Sequence, residues 1–128
     1  MRSRKGFSLV EVVVALVVLA VAVMGAQSMA ATMIRTVTTS NAQNTAGQLV
    51  EDRIDRIRTD PAYDSLATKY AGTESTIPGW STYSRVTQLA RTFVSNSNGV
   101  TDYYTVTVTV NGAPLRAPVR RTVVIGSP

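Results

Sequence analysis

The residues best placed to do chemistry lie near the amino terminus: the Gly6-Phe7 peptide bond, and the carboxylate of Glu11 inside an apolar run. Between Phe7 and Ala26 only Ser8 and Glu11 are polar. An ionised carboxylate at bilayer depth costs about 2.5 kcal/mol or more, so it is rarely retained there without a function. Where water is scarce, such a group acts by pairing with a cation. We therefore treat this short segment as the candidate functional site.

Composition excludes the commonest catalytic chemistry. The chain has no Cys and no His, so disulfides, thiolates and imidazole bases or metal ligands are all missing. Ser and Thr are abundant, but none has a visible base partner, and no phosphate-binding, dinucleotide or zinc motif is present. The oxygen-rich segment 95–102 contains one carboxylate, which favours a plain hairpin loop over a calcium site. We expect no enzyme, no catalytic residue, no cofactor and no metal.

The apolar run is long enough to cross a bilayer. Phe7 to Ala26 is 20 residues, or about 30 Å of helix. Arg2, Arg4 and Lys5 precede it, so the positive-inside rule places the amino terminus in the cytoplasm and the rest outside. A cleaved secretory signal and an uncleaved single-pass anchor are the simpler alternatives. Neither accounts for Glu11 or for the Gly6-Phe7 junction.

The segment Arg4-Lys5-Gly6-Phe7-Ser8-Leu9-Val10-Glu11 resembles the class III signal of type IV prepilins and pseudopilins. The resemblance implies that a prepilin peptidase cuts between Gly6 and Phe7 and that Phe7 becomes N-methylated. It also implies that Glu11, the fifth residue of the mature chain, acts in filament assembly. The implied partners are other minor and major pilins through the amino-terminal helix, an inner-membrane assembly platform and the lipid bilayer. The implied location is the inner membrane, crossed once with an exported head, and then an extracytoplasmic filament.

Cleavage would change the charge of the protein. Residues 1–6 carry three of the 13 Lys and Arg residues, so ten remain against eight Asp and Glu, and the net charge falls from +5 to +2. Arg116, Arg120 and Arg121 cluster near the carboxyl end, but no organised aromatic neighbours accompany them. A charged edge strand explains this cluster better than a nucleic-acid surface. We expect no DNA partner.

One helix is predicted from Phe7 to Asp60, because no Pro occurs before Pro61 and the residue before a Pro is disfavoured in a helix. Its second half is amphipathic, with charged residues at positions 51–53, 55, 56 and 58 on a face interpreted as solvated. The apolar stripe at i, i+3 and i+4 spacing consists of Ala42, Ala46, Leu49, Val50, Ile54 and Ile57.

The carboxyl half predicts three strands, Tyr83–Val94, Asp102–Val110 and Val119–Ile125, with a turn at Asn111-Gly112. The predicted fold class is α+β: a long amino-terminal helix, transmembrane and then amphipathic, packed on a small three-stranded antiparallel sheet. Trp80 is expected to close the edge of the core. The predicted divisions are a leader (1–6), a transmembrane or filament-core helix (7–34), an amphipathic helix (35–60), a loop (61–82) and a sheet head (83–128).

Within the family, Val14–Val21 and Gln48–Arg58 look most like the V-type minor pilins, also called type IV pilus modification proteins. The resemblance implies a structural subunit that helps to initiate or decorate a type IV pilus. Two alternatives remain open: an I-type minor pseudopilin of a type II secretion system, and a DNA-uptake competence pseudopilin.

Overall fold

The computed structural model describes residues 6–97, 99–113 and 115–127. Leader residues 1–5, Asn98 of the 95–102 loop and Pro114 after the predicted turn lie outside this range. The chain forms two compact units that meet in sequence between Val37 and Thr38. The elements are α1 (Leu9–Thr59), a 3₁₀ turn (Tyr63–Ser65), α2 (Leu66–Tyr70), β1 (Gly72–Glu74), β2 (Tyr83–Asn96), β3 (Gly99–Gly112) and β4 (Val119–Gly126).

Helix α1 begins two residues later and ends one residue earlier than the predicted helix. The Ser8 carbonyl oxygen accepts hydrogen bonds from the amides of Glu11 (3.0 Å) and Val12 (3.2 Å), so Ser8 is the last residue before the helix. At the other end, Pro61 cannot continue the ladder, and Asp60 lies outside the helix.

In the first unit, all described side chains are exposed, from Gly6 through Val37. Three hydroxyl side chains donate hydrogen bonds to backbone carbonyls of their own helix. Ser28, Thr32 and Thr36 each donate a hydroxyl to the carbonyl four residues earlier, at 2.9–3.0 Å. No described side chain of this unit is buried, so its apolar surface is exposed.

The second unit contains a four-stranded antiparallel sheet of order β1-β2-β3-β4. The α+β class is confirmed, but the prediction of three strands is wrong. The additional strand, β1, has three residues within the segment predicted as a loop, and it pairs with Arg85–Thr87 of β2. The same segment also holds the 3₁₀ turn and α2.

The core of this unit joins α1 to the sheet. The predicted stripe is confirmed, since its six residues are the buried residues of α1. The inward-facing residues of β3 are Tyr104, Val106, Val108 and Val110, as the alternation predicted. Leu66, Ile77 and Tyr83 complete the cluster. Each fully buried Val or Ile side chain contributes about 1.5–3 kcal/mol, so these apolar contacts are a large part of what holds the sheet on this part of the helix.

The opposite face of the sheet is rich in threonine. Thr105, Thr107 and Thr109 of β3 alternate with the core residues, and Thr122 of β4 lies opposite Thr107. The Thr107 and Thr122 hydroxyls are 3.0 Å apart and form a cross-strand hydrogen bond.

Candidate processing and assembly site

The Gly6-Phe7 junction lies just before the helix. Gly6, Phe7 and Ser8 have no regular secondary structure, and all three are exposed. A Cβ atom added at Gly6 would meet no other atom within 4 Å. The fold therefore places no demand for glycine at this position, and any such demand must come from a molecule that acts on the chain.

Glu11 lies in the first turn of α1, three residues after Ser8. The Ser-x-x-Glu spacing is that of a capping box at a helix start, and a carboxylate in the first turn is stabilised by the helix dipole. Of the three predicted site residues, Phe7 and Glu11 line the same shallow surface. Gly6 does not line it. The other residues that line this surface are Val12, Ala15, Leu16 and Leu19. A carboxylate thus lies four residues after Phe7 on an apolar face.

The surface around this site is apolar and exposed. Helix α1 contains a stretch long and apolar enough to cross a membrane, and none of that stretch is buried. Leu9 is 79% exposed and Leu19 is 60% exposed. Such a continuous apolar surface needs lipid or other apolar helices around it.

Sequence reasoning missed a polar network in the second unit. Arg85 of β2 is only 5% exposed, and its Nε donates to Glu74 Oε2 at 2.6 Å. Its Nη1 donates to the Leu49 carbonyl at 3.1 Å. The hydrogen bond from Arg85 is the main cause that lowers the pKa of Glu74. This ion pair fastens the three-residue strand β1 to β2, and the inward position of Arg85 between Tyr83 and Thr87 was the one signal that could have revealed it.

Arg53 belongs to the same network, which corrects its assignment to a solvated face. Its side chain is 14% exposed, with Nη2 3.4 Å from Glu74 Oε2 and 3.2 Å from the Tyr70 carbonyl oxygen. Its Nε donates to the Thr87 hydroxyl at 3.2 Å. Burial, assisted by repulsion from Arg85 and Arg56, lowers the pKa of Arg53 despite the attraction of Glu74.

A second network joins the 3₁₀ turn to the hairpin of β2 and β3. Arg91 donates to both carboxylate oxygens of Asp102, at 2.9 and 2.6 Å, and this pairing lowers the pKa of Asp102. Arg91 also lies 2.9 Å from Asp64 and stacks over the Tyr63 ring. Asp102, which was predicted to lie in a loop at 95–102, is therefore a residue of β3 that an arginine engages.

Asp60 closes the end of α1. Its carboxylate accepts from Lys69 Nζ (2.5 Å), the Tyr70 hydroxyl (2.7 Å) and the Ala62 amide (2.9 Å). The hydrogen bond from Lys69, followed by those from Ala62 and Tyr70, lowers the pKa of Asp60 to about 2. This cluster fixes the chain where it leaves the helix.

The carboxyl-terminal arginines do not form one basic surface. Arg121 faces the helix and pairs with Glu51, whereas Arg120 lies on the threonine face of the sheet. Arg120 and Arg121 therefore lie on opposite faces of the sheet.

Residues 1–26 match the family model described as the prokaryotic N-terminal methylation motif. A comparison with curated proteins found no match. A comparison with solved structures found none either. The chain therefore carries a type IV prepilin-like class III signal, as its amino-terminal residues predicted, while the V-type resemblance stays a prediction.

Proposed function

We propose that this type IV pilin-like or pseudopilin protein is a minor subunit that helps to initiate or decorate a type IV pilus, most like a V-type minor pilin. The observation that carries the proposal is the methylation motif at residues 1–26, which covers the start of a helix whose membrane-length apolar stretch is not buried. The motif points to a structural subunit and not to an enzyme. The motif and the apolar helix fit anchoring in a membrane and incorporation into a filament.

Processing is the first step of the proposed function. Prepilin peptidase cuts between Gly6 and Phe7, and Phe7 is then N-methylated. The irregular, exposed backbone at this junction supports the proposal, because a protease needs an extended segment and α1 begins only at Leu9. The apolar segment that begins at Phe7 stays in the inner membrane as a single span, and the second unit is exported.

Glu11 acts after processing. The new amino group of Phe7 is a cation one helical turn from Glu11, and the same pair exists on every subunit. Pairing Glu11 of one subunit with the Phe7 amino group of the next neutralises both charges in a dry environment and sets the axial offset between helices. A pair within one chain would neutralise charge too, but it would give a subunit no reason to retain Glu11 at the filament core.

The kind of filament is the finest part of the proposal. The pairing of Arg121 with Glu51 favours a structural role over DNA uptake. Genes adjacent to this one provide an inexpensive test: a cluster of minor pilins supports the pilus proposal, whereas a secretion or competence operon favours the I-type or DNA-uptake alternative.

The cleavage site is tested by co-expression with a prepilin peptidase. We expect Gly6→Leu to remain as uncut precursor in the inner membrane, since the bulky side chain would meet the peptidase and not the protein itself. Gly25→Leu is the matched control, because a Cβ atom there also meets nothing within 4 Å. The intact mass and the amino-terminal sequence report the cut.

Wild-type protein that keeps its leader beside an active peptidase, or that is cut after Ala20 or Ala22, would contradict the processing step. Efficient cleavage of Gly6→Leu would remove the role given to Gly6.

Assembly is tested at Glu11. We expect Glu11→Gln to be inserted, cleaved and folded, but to fall at least about tenfold in sheared filaments, since losing one partner of a desolvated charge pair costs about 2 kcal/mol or more. Glu11→Asp keeps the charge and should retain more incorporation than Glu11→Gln. If Glu11→Gln entered filaments as well as the parent did, the pairing role would be wrong.

A further inference from the structure

A pocket of about 440 Å³ opens in the second unit. Its walls come from the amphipathic part of α1, from β1 and β2, and from the turn at Ile77–Trp80. The volume falls within the range of about 300–1,000 Å³ that small-ligand sites occupy. Its charged and aromatic lining residues are Asp52, Arg53, Arg56, Glu74, Trp80 and Arg85.

The pocket carries more positive than negative charge. Its three guanidinium groups face two carboxylates, and both carboxylates are already engaged. Glu74 serves Arg85 and Arg53, while Asp52 lies 3.1 Å from Arg56 and 3.9 Å from Arg85. One positive charge is left without a counter-ion in the lining of the pocket.

The imbalance is concentrated near the two least exposed arginines. Arg53 and Arg85 are 14% and 5% exposed, so water compensates their charges only in part. The lowered pKa of Arg53, caused first by burial, agrees with this. A bound anion would supply the missing negative charge through charge-assisted hydrogen bonds.

An apolar wall lies beside these charges. Trp80 is 45% exposed at the pocket, next to the buried side chains of Leu49 and Ile77. The indole is held in place, because the Trp80 amide donates to the Ile77 carbonyl at 2.8 Å and its ring meets Tyr83 edge-on at 6.3 Å. Gly79 supplies the positive φ of +82° that this turn requires. A platform held in this way binds without a large ordering cost.

We propose that this pocket binds a carboxylate that is carried by an apolar or aromatic group. The carboxylate pairs with the guanidinium groups of Arg53, Arg56 and Arg85, and the apolar group lies against Trp80. Two sources present this chemistry: the carboxyl-terminal residue of a peptide, and an acidic side chain beside an apolar one within a protein segment. The proposal rests on the second unit alone and is independent of the proposed function.

The test uses the full-length protein in detergent micelles and reads the fluorescence of Trp80, the single tryptophan of the chain. N-acetylphenylalanine is titrated against its uncharged amide. We expect a saturable change with the acid and at least about tenfold weaker binding of the amide, since the amide keeps the ring and loses the charge. Added salt should weaken the binding of the acid and leave the binding of the amide unchanged.

Variants locate the site. Arg56 is exposed, so Arg56→Gln should keep the melting temperature of the protein and weaken the acid about three- to fivefold. Arg58→Gln, on the same helix but not in the pocket lining, should bind as the parent does. Arg53→Lys keeps the positive charge but loses the planar guanidinium that can donate two hydrogen bonds to one carboxylate. We expect this variant to bind the acid about tenfold more weakly. A peptide containing Phe-Glu and blocked at both ends separates the sources: tighter binding than the free acid points to an internal acidic side chain, and weaker binding points to a terminal carboxylate.

Equal binding of acid and amide would overturn the proposal, because the site would then be merely apolar. A linear, unsaturable fluorescence change, or an equal loss in Arg56→Gln and Arg58→Gln, would do the same.

Discussion

The two halves of α1 share one secondary structure and differ in what their side chains touch. From Leu9 to Val37 all side chains are exposed, whereas from Thr38 to Thr59 a stripe of six is buried against the sheet. The first half is apolar around most of its circumference, which is typical of a helix surrounded by lipid or by other apolar helices. The second half is amphipathic and finds its partners within the chain. One helix can therefore belong to a folded unit at one end and to an assembly at the other.

The largest expected effect tests this difference directly. Ile54 is 1% exposed and Leu19 is 60% exposed. Ile54→Ala should lower the free energy of unfolding of the second unit by about 2–5 kcal/mol, because it leaves a cavity in the core. Leu19→Ala removes the same kind of group and should change that free energy by less than about 0.5 kcal/mol. Thermal and urea melts of the full chain in detergent measure both, and equal losses would contradict the division of the helix.

A second pair of variants asks whether polar contacts also hold the buried half. Glu74→Gln leaves the buried Arg85 short of its counter-charge and should cost about 2 kcal/mol, a value reduced from that of a fully buried pair because Glu74 is 33% exposed. Glu51→Gln breaks an ion pair with Arg121, which is 59% exposed, and should cost less than about 0.5 kcal/mol. The same melts distinguish the two, and comparable losses would remove the special role of the Arg85 network.

The smallest effect is a pH dependence at the end of the buried half. The pKa of Asp60 is about 2 in the folded protein, below its ordinary value of 3.8. Its stabilising contribution is therefore complete above pH 4 and is lost as the pH falls toward 2. Asp60→Asn should show a shallower fall in melting temperature across this interval than the parent. Lys69→Gln should also flatten the profile, and unchanged slopes in both variants would contradict the assignment.

The fold was largely predictable where a repeating pattern determined it. The six-residue stripe and the alternation of β3 are periodic over three or more repeats, and the structure confirms both. Strand β1 could not be predicted, because three residues carry no period and their pairing depends on Glu74 meeting Arg85, 11 positions away. The burial of Arg53 was missed for a related reason: its partner Tyr70 comes from α2, which the sequence presented as loop.

The amino-terminal motif was recognisable from fixed spacing, while the processing and assembly roles of its residues stay predictions. Gly6, Phe7 and Glu11 form a motif that needs no tertiary contact to be recognised, and the methylation-motif match covers it. The pocket beside Trp80 was not predictable, because its arginines come from a helix and a strand 32 positions apart, from Arg53 to Arg85. Trp80 was predicted to close the edge of the core. Its ring does contact the buried Tyr83, but its side chain is 45% exposed.

The threonine face of the sheet has a consequence for how the protein behaves among its own copies. Threonine has nearly the shape of valine, so Thr105, Thr107, Thr109 and Thr122 give the strands the same stiff, β-favouring side chains as the core face. Their hydroxyls make that surface wettable. Exchanging the four for valine would preserve the strands but make this exposed face of the sheet more apolar. Such a surface favours aggregation between copies of the protein. The hydroxyl oxygens of these four threonines thus keep this face of the sheet polar.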